Sequence, residues 1–261
     1  MAFAAVALAA FLVSGLTLFS GFGLGTLLLP VFALFFPVEV AVAATALVHF
    51  ANNVLKVLLF GRRADREVVV RFVFPAVACA FAGAAVLGLA SRAEPLARYV
   101  VAGHAAVVTP LKLLLAALMA LFALFELLPA LRDLRFDRRW LPLGGAMSGF
   151  FGGLSGHQGA LRAAFLTKVG LSTEAFVGTN AVSGFLVDAA RLGVYGLVFL
   201  SAPASGMGER GWRLVAVGTA SAFAGVLLGG RLVRKVTMGA VQLLAGVLLL
   251  AISAALGAGI V

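Results

Sequence analysis

Nowhere in this chain do polar residues gather for longer than the stretches LRDLRFDRRW (131–140) and SAPASGMGERGWR (201–213). Elsewhere apolar runs follow one another, separated by short charged clusters. This pattern constrains the fold more than any other feature. In hydrocarbon no water is present to satisfy backbone N–H and C=O groups, so a spanning segment must be a helix or part of a closed barrel. Runs of about 17–25 apolar residues are the length of helical spans. Composition agrees: 63% of residues are apolar and 11% charged, against about 45–50% and 25% in soluble domains. The sequence therefore predicts an all-α polytopic membrane protein. The opening MAFAAVALAAFLVSG lacks the basic start of a signal peptide and is expected to be the first membrane segment.

The formal charge of +10 does not point to nucleic acid, because the Lys and Arg residues lie in short loops between apolar runs. There they set topology and cannot form a soluble basic face. The single Cys79 excludes an internal disulfide and a cysteine-rich metal site, and a buried, inert thiol is expected. No metal or cofactor is expected, and lipid is the surrounding medium.

Sliding the chain by 135 residues places SGFGLG (20–25) on SGHQGA (155–160) without a gap. Glu39 then falls on Glu174, Thr45 on Asn180, Asn53 on Asp188, Lys56 on Arg191, Phe60 on Tyr195 and Gly61 on Gly196. Farther along, AFAG at 80–83 meets AFAG at 222–225 and Arg92 meets Arg234, once seven extra residues are allowed in the second half. Two homologous halves are expected, 1–130 and 141–261, joined by a cytoplasmic connector at 131–140. Each half opens with a glycine-broken segment (2–36 and 141–170). Three helices follow it (39–60, 67–90 and 99–130; 174–200, 213–231 and 237–259).

The arms 141–154 and 159–170 are each too short to cross about 30 Å of hydrocarbon comfortably. The broken segment is either an interrupted crossing or a hairpin, and the two give opposite parity. With a hairpin, Arg62, Arg63, Arg66, Arg71, Arg132, Arg135, Arg138, Arg139, Lys168, Arg231, Arg234 and Lys235 share one side, a bias of 12 to 4. With a single crossing the bias falls to 10 to 6. The positive-inside rule favours the hairpin. The halves are then inverted relative to each other, and both termini lie on the non-cytoplasmic side of the inner (plasma) membrane.

Inverted halves with interrupted helices are the plan of many secondary transporters, with the substrate near the midplane. A helix that begins inside the membrane offers unbonded amides and a positive dipole end, and glycines let the backbone approach a ligand. Candidate binding residues are therefore Gly21, Gly23 and Gly25 in the first half, and Gly156, His157, Gln158, Gly159 and Arg162 in the second. A guanidinium in the first turn of a helix opposes the dipole, which makes a bound anion the natural complement. The following helices add Thr45, His49, Asn52, Asn53 and Lys56, most of them on one face, and Asn180, Ser183, Asp188 and Arg191. His49, His157 and Asp188 are candidate proton carriers, and Lys56 and Arg191 candidate sources of positive potential. Purely structural readings stand beside these. The glycines could be a packing site, Asp188 and Arg191 an intrahelical pair, and Lys56 a cation reaching back to the inner surface. Lys112 is expected to face the interior or a subunit contact, so a homo-oligomer is a candidate assembly. Glu126 is expected to reach water.

GFGLGTLLLP and GLSGHQGALRAAFL, each followed by an acidic helix start (PVEVAVAATALV and STEAFVGTNAVSGFLVDAARLGVYG), resemble the TauE/SafE family of sulfite and organosulfonate exporters over nearly the whole chain. Pro30 keeps the family's proline after the glycine cluster, whereas the second half carries Arg162 and Phe165 where small residues and proline are usual. The resemblance implies export of a small sulfur-containing anion such as sulfite or sulfoacetate. An anion channel and a carrier of another small organic anion are the alternatives. An enzyme is not expected, since three histidines without cysteine partners and few acids give no nucleophile–base pair or metal cluster.

Overall fold

A computed structural model describes residues 1–18, 24–101, 103–132, 134–199, 207–232 and 238–260. Its elements run α1 (Ala2–Leu16), α2 (Leu24–Ala33), α3 (Val38–Phe60), α4 (Arg66–Ser91), β1 (Ala97–Val101), β2 (His104–Val108), α5 (Pro110–Leu127), α6 (Pro129–Arg132), α7 (Leu141–Ser155), α8 (Gly159–Leu166), α9 (Thr173–Phe199), α10 (Gly208–Leu232) and α11 (Met238–Gly257). Four helical stretches among the described residues are long and apolar enough to cross a membrane: Val38–Arg63, Arg66–Ser91, Pro110–Leu127 and Gly208–Leu228. The chain is a helical, multi-pass membrane protein.

Glycine faces set the packing. On α7, Gly145, Gly149 and Gly153 recur every four residues against the carbonyls of Phe72, Ala76 and Ala80 on α4. A Cβ on any of the three would stand 1.9–2.1 Å from those oxygens. Small residues at this spacing let membrane helices touch backbone to backbone, and here the two helices run parallel. On the other side of the molecule α10 lies parallel to α1, with Gly218 against Val6 and Gly225 against the Phe11 carbonyl. Two further pairs are antiparallel. Along α3 and α9, Phe60 meets Gly178, Phe50 stacks on Phe185 at 5.3 Å and His49 meets Asp188. Along α5 and α11, Leu127 meets Gly246 and Ser253 donates to the Ala116 carbonyl at 2.8 Å.

The helix expected at 99–130 is a correction. Its first residues form an antiparallel hairpin, with Ala97 opposite Val108 and Val101 opposite His104, turning at Gly103 with φ +82°. RYVV and HAAVV are rich in strand formers, and Thr109–Pro110 marks the real helix start. The Thr109 hydroxyl caps the Lys112 amide at 3.1 Å, and Pro110 occupies the first turn, where its missing N–H costs nothing. The helix expected from 213 starts at Gly208, so the end of that loop belongs to α10, while 201–206 lie outside the described residues. Glu126 does not reach water: it is buried. Cys79 is half-buried, on the apolar α4. Lys112 is also half-buried, with Nζ 3.4 Å from the Gly259 carbonyl.

The connector is docked onto α8. Phe136 stacks on Phe165 at 4.3 Å and its amide donates to Ala164. Lys168 donates to Asp137 at 2.8 Å, and that ammonium holds the Asp137 carboxyl below the usual carboxylate range.

Candidate functional site

α7 ends where Gly156 takes φ +84°, and its amide closes on the Gly152 carbonyl at 2.9 Å. Only glycine enters that region at little cost, and a Cβ here would also lie 2.6 Å from Arg191 Nη1. α8 begins three residues on. Its first intrahelical bond is Arg162 N–H to the Gln158 carbonyl at 2.9 Å, and no side chain caps it. The amides of Gly159, Ala160 and Leu161 therefore have no helical carbonyl to bond. α2 starts against the same turn, because a Cβ on Gly25 would lie 3.0 Å from the Gly156 oxygen and 3.8 Å from Thr45 Cγ2.

Midway along α3 and α9, Asp188 is fully buried and joins three elements. Its Oδ1 accepts from Arg191 Nε at 3.0 Å and Gln158 Nε2 at 3.2 Å, and Arg191 Nη2 makes an ion-pair contact with it at 2.8 Å. Its Oδ2 accepts from Asn53 Nδ2 at 2.8 Å and faces His49 Nδ1 at 2.6 Å. A carboxylate is acceptor-only, so this last contact places the ring proton on Nδ1. Arg191 also reaches the Gly152 carbonyl at 3.4 Å, and the Tyr195 hydroxyl donates to the Gly153 carbonyl at 2.5 Å. Asp188 thus ties the end of α7 and the start of α8 to both long helices.

Arg162 differs from Arg191. It is 2% exposed, yet its partners are neutral oxygens, Asn180 Oδ1 for Nε and Gln158 Oε1 at 3.1 Å for Nη1. It pairs with no carboxylate among the described residues. Lys56, 6% exposed, makes no hydrogen bond or ion pair among them.

The structure brings most of the expected residues together and sorts them. His49, Gln158, Asp188, Arg191, Arg162 and Asn180 form one bonded chain of contacts. Gly25 and Gly156 touch. Gly159 is the buried first residue of α8. His157 turns away: Nδ1 lies 3.0 Å from Ser155 Oγ and the ring stacks on Phe122 at 5.2 Å. Ser183 is spent on its own helix, donating to the Thr179 carbonyl at 2.7 Å. Asn52 Oδ1 accepts from Ser14 at 3.0 Å. Thr45 Oγ1, Asn52 Nδ2 and His157 Nε2 are buried without a hydrogen-bond partner among the described residues. Gly21 and Gly23 lie outside the described residues. Sequence reasoning missed Ser14, which sits in an apolar run without any signal, and the part of Phe122 as the platform for His157. Lys56 does not reach back to the surface but is buried.

A family model described as Sulfite exporter TauE/SafE matches residues 4–256. The chain belongs to the TauE/SafE sulfite exporter family. No curated protein and no solved structure matches it. In this TauE/SafE chain the duplicated glycine segments that carried the resemblance meet at Gly25 and Gly156, and membership makes it a membrane transporter of a family of sulfur-anion exporters.

Proposed function

We propose that the protein is a secondary carrier of the plasma membrane that exports a small sulfur-containing anion, sulfite or an organosulfonate, by alternating access between two inverted halves. The observation that carries this reading is Arg162. A buried guanidinium hydrogen-bonded only to neutral oxygens is costly in a membrane protein, and this one stands in the first turn of a helix whose free amides also favour an anion. A bound anion relieves both at once.

Inverted halves are supported by the packing. α2 and α8 start 135 residues apart, at Leu24 and Gly159, as α3 and α9 do at Val38 and Thr173. Phe50 and Phe185, one repeat apart, stack on each other, and Asn53 and Asp188, also one repeat apart, are bonded. Equivalent residues touch in this way only near a two-fold axis. The antiparallel α3–α9 and α5–α11 pairs favour hairpins over single crossings, since single crossings would make both pairs parallel. The His49–Asp188 contact joins the halves and is our candidate for proton coupling.

The test is thermal unfolding of purified protein with sulfite, sulfoacetate, sulfate or acetate, beside Arg162→Gln. The reading expects a sulfur anion to raise the midpoint in the wild type but not in a folded Arg162→Gln. Stabilisation that survives the substitution moves the site elsewhere, and no stabilisation by any anion leaves only a packing role. In proteoliposomes, a flux that saturates marks a carrier, whereas a linear flux marks a channel.

A further inference from the structure

The buried charges of the site do not balance. Asp188 is the carboxylate within it, and Arg191 engages it through two nitrogens. With His49 neutral, that pair is self-contained. Arg162 and Lys56 are left as two buried cations that form no ion pair with a carboxylate among the described residues, both under 10% exposed. They share one depth. In the antiparallel register that sets His49 against Asp188 and Phe60 against Gly178, Lys56 stands level with Ala181 and Val182, directly after Asn180, the residue bonded to Arg162 Nε. Asn53 lies one turn before Lys56 on the same face. Its amide nitrogen and Arg162 Nη1 both approach Gly184, at 2.6 and 3.1 Å from where a Cβ would be.

We propose that this site selects a small dianion, with Arg162 and Lys56 each taking one negative charge, so that Lys56 determines charge specificity. The inference rests on the anion-carrier reading and deepens it. A monoanion leaves one buried cation uncompensated, and an unpaired buried charge at a binding site costs far more than the pair is worth. A dianion leaves none. The purely structural account, two cations held only for packing, offers no reason to bury Lys56 without a partner.

Sulfoacetate and 2-sulfoacetamide test this. They match in size and share the sulfonate, but only the first has a second charge. Binding of each to the purified full chain is measured by calorimetry, for wild type, Lys56→Met and Lys56→Arg. The expected result is a wild-type preference for sulfoacetate of about tenfold or more, kept by Lys56→Arg and reduced to about twofold or less in Lys56→Met. Lys56→Met is also expected to raise the unfolding midpoint of the ligand-free protein, because it removes an unpaired buried charge. Equal wild-type affinity for the two ligands overturns the dianion assignment while leaving the sulfur-anion reading intact, and needs no variant. A preference that survives in Lys56→Met overturns the role of Lys56. Binding of neither ligand overturns the sulfonate reading itself.

Discussion

Asp188 takes contacts from four side chains, and its substitution separates charge from shape. Asp188→Asn keeps the volume but leaves Arg191 buried without a counter-charge. Breaking one side of a buried pair typically costs about 3–5 kcal/mol, so the unfolding midpoint is expected to fall, read by thermal melting in detergent. His49 gives a kinetic prediction. If its contact with Asp188 carries a coupled proton, flux depends on pH and His49→Asn flattens that profile. Identical profiles in liposomes would remove the proton from the mechanism. Gly156→Ala forces a left-handed residue at about 1–2 kcal/mol and pushes a methyl onto Arg191, so it is expected to lose both stability and anion binding. These residues were legible one by one, since polar groups in a greasy run stand out. Their partners were not: His49 and Asp188 are 139 positions apart, and nothing local sets His157 against Phe122 instead of Asp188.

At the scale of elements the α4–α7 seam is the most demanding contact. A Cβ on Gly149 would lie 1.9 Å from the Ala76 oxygen, so even alanine must push two backbones apart. Overpacking of this kind costs about 1–3 kcal/mol or more. Gly149→Ala is expected to lower the unfolding midpoint, whereas Gly193→Ala, with open space around it, is expected to leave it unchanged. Equal effects would mean that the seam is looser than its geometry. Hydropathy located the helices but read through the hairpin at 97–108, because valine and alanine are apolar in either state. The turn at Gly103 and the Thr109–Pro110 cap were the signals that hydropathy alone overlooks.

For the whole molecule the decisive question is orientation. With both halves opening as hairpins, the 92–98 loop lies outside and the 131–140 connector inside. Glu94 and Asp137 are both exposed, and neither counts toward the positive-inside bias. In a Cys79→Ser background, a membrane-impermeant thiol reagent added to intact cells is expected to label Glu94→Cys and not Asp137→Cys. The reverse pattern would invert the export geometry, and labelling of both would show a mixed insertion.

The sequence by itself determined the solvent and the class, and it supplied the offset on which the proposed doubling rests. A run of some twenty apolar residues has only one way to satisfy its backbone in lipid, and a fixed offset of rare polar residues survives any folding. Charge counting along the chain also weighed the parity of the broken segments. Only the tertiary structure decided which cations are neutralised. Arg191 and Arg162 are the same residue type in similar surroundings along the chain, but one faces Asp188 and the other faces amide oxygens. That difference depends on the antiparallel meeting of α3 and α9, and electrostatic pairing acts through distances in space that no local spacing encodes.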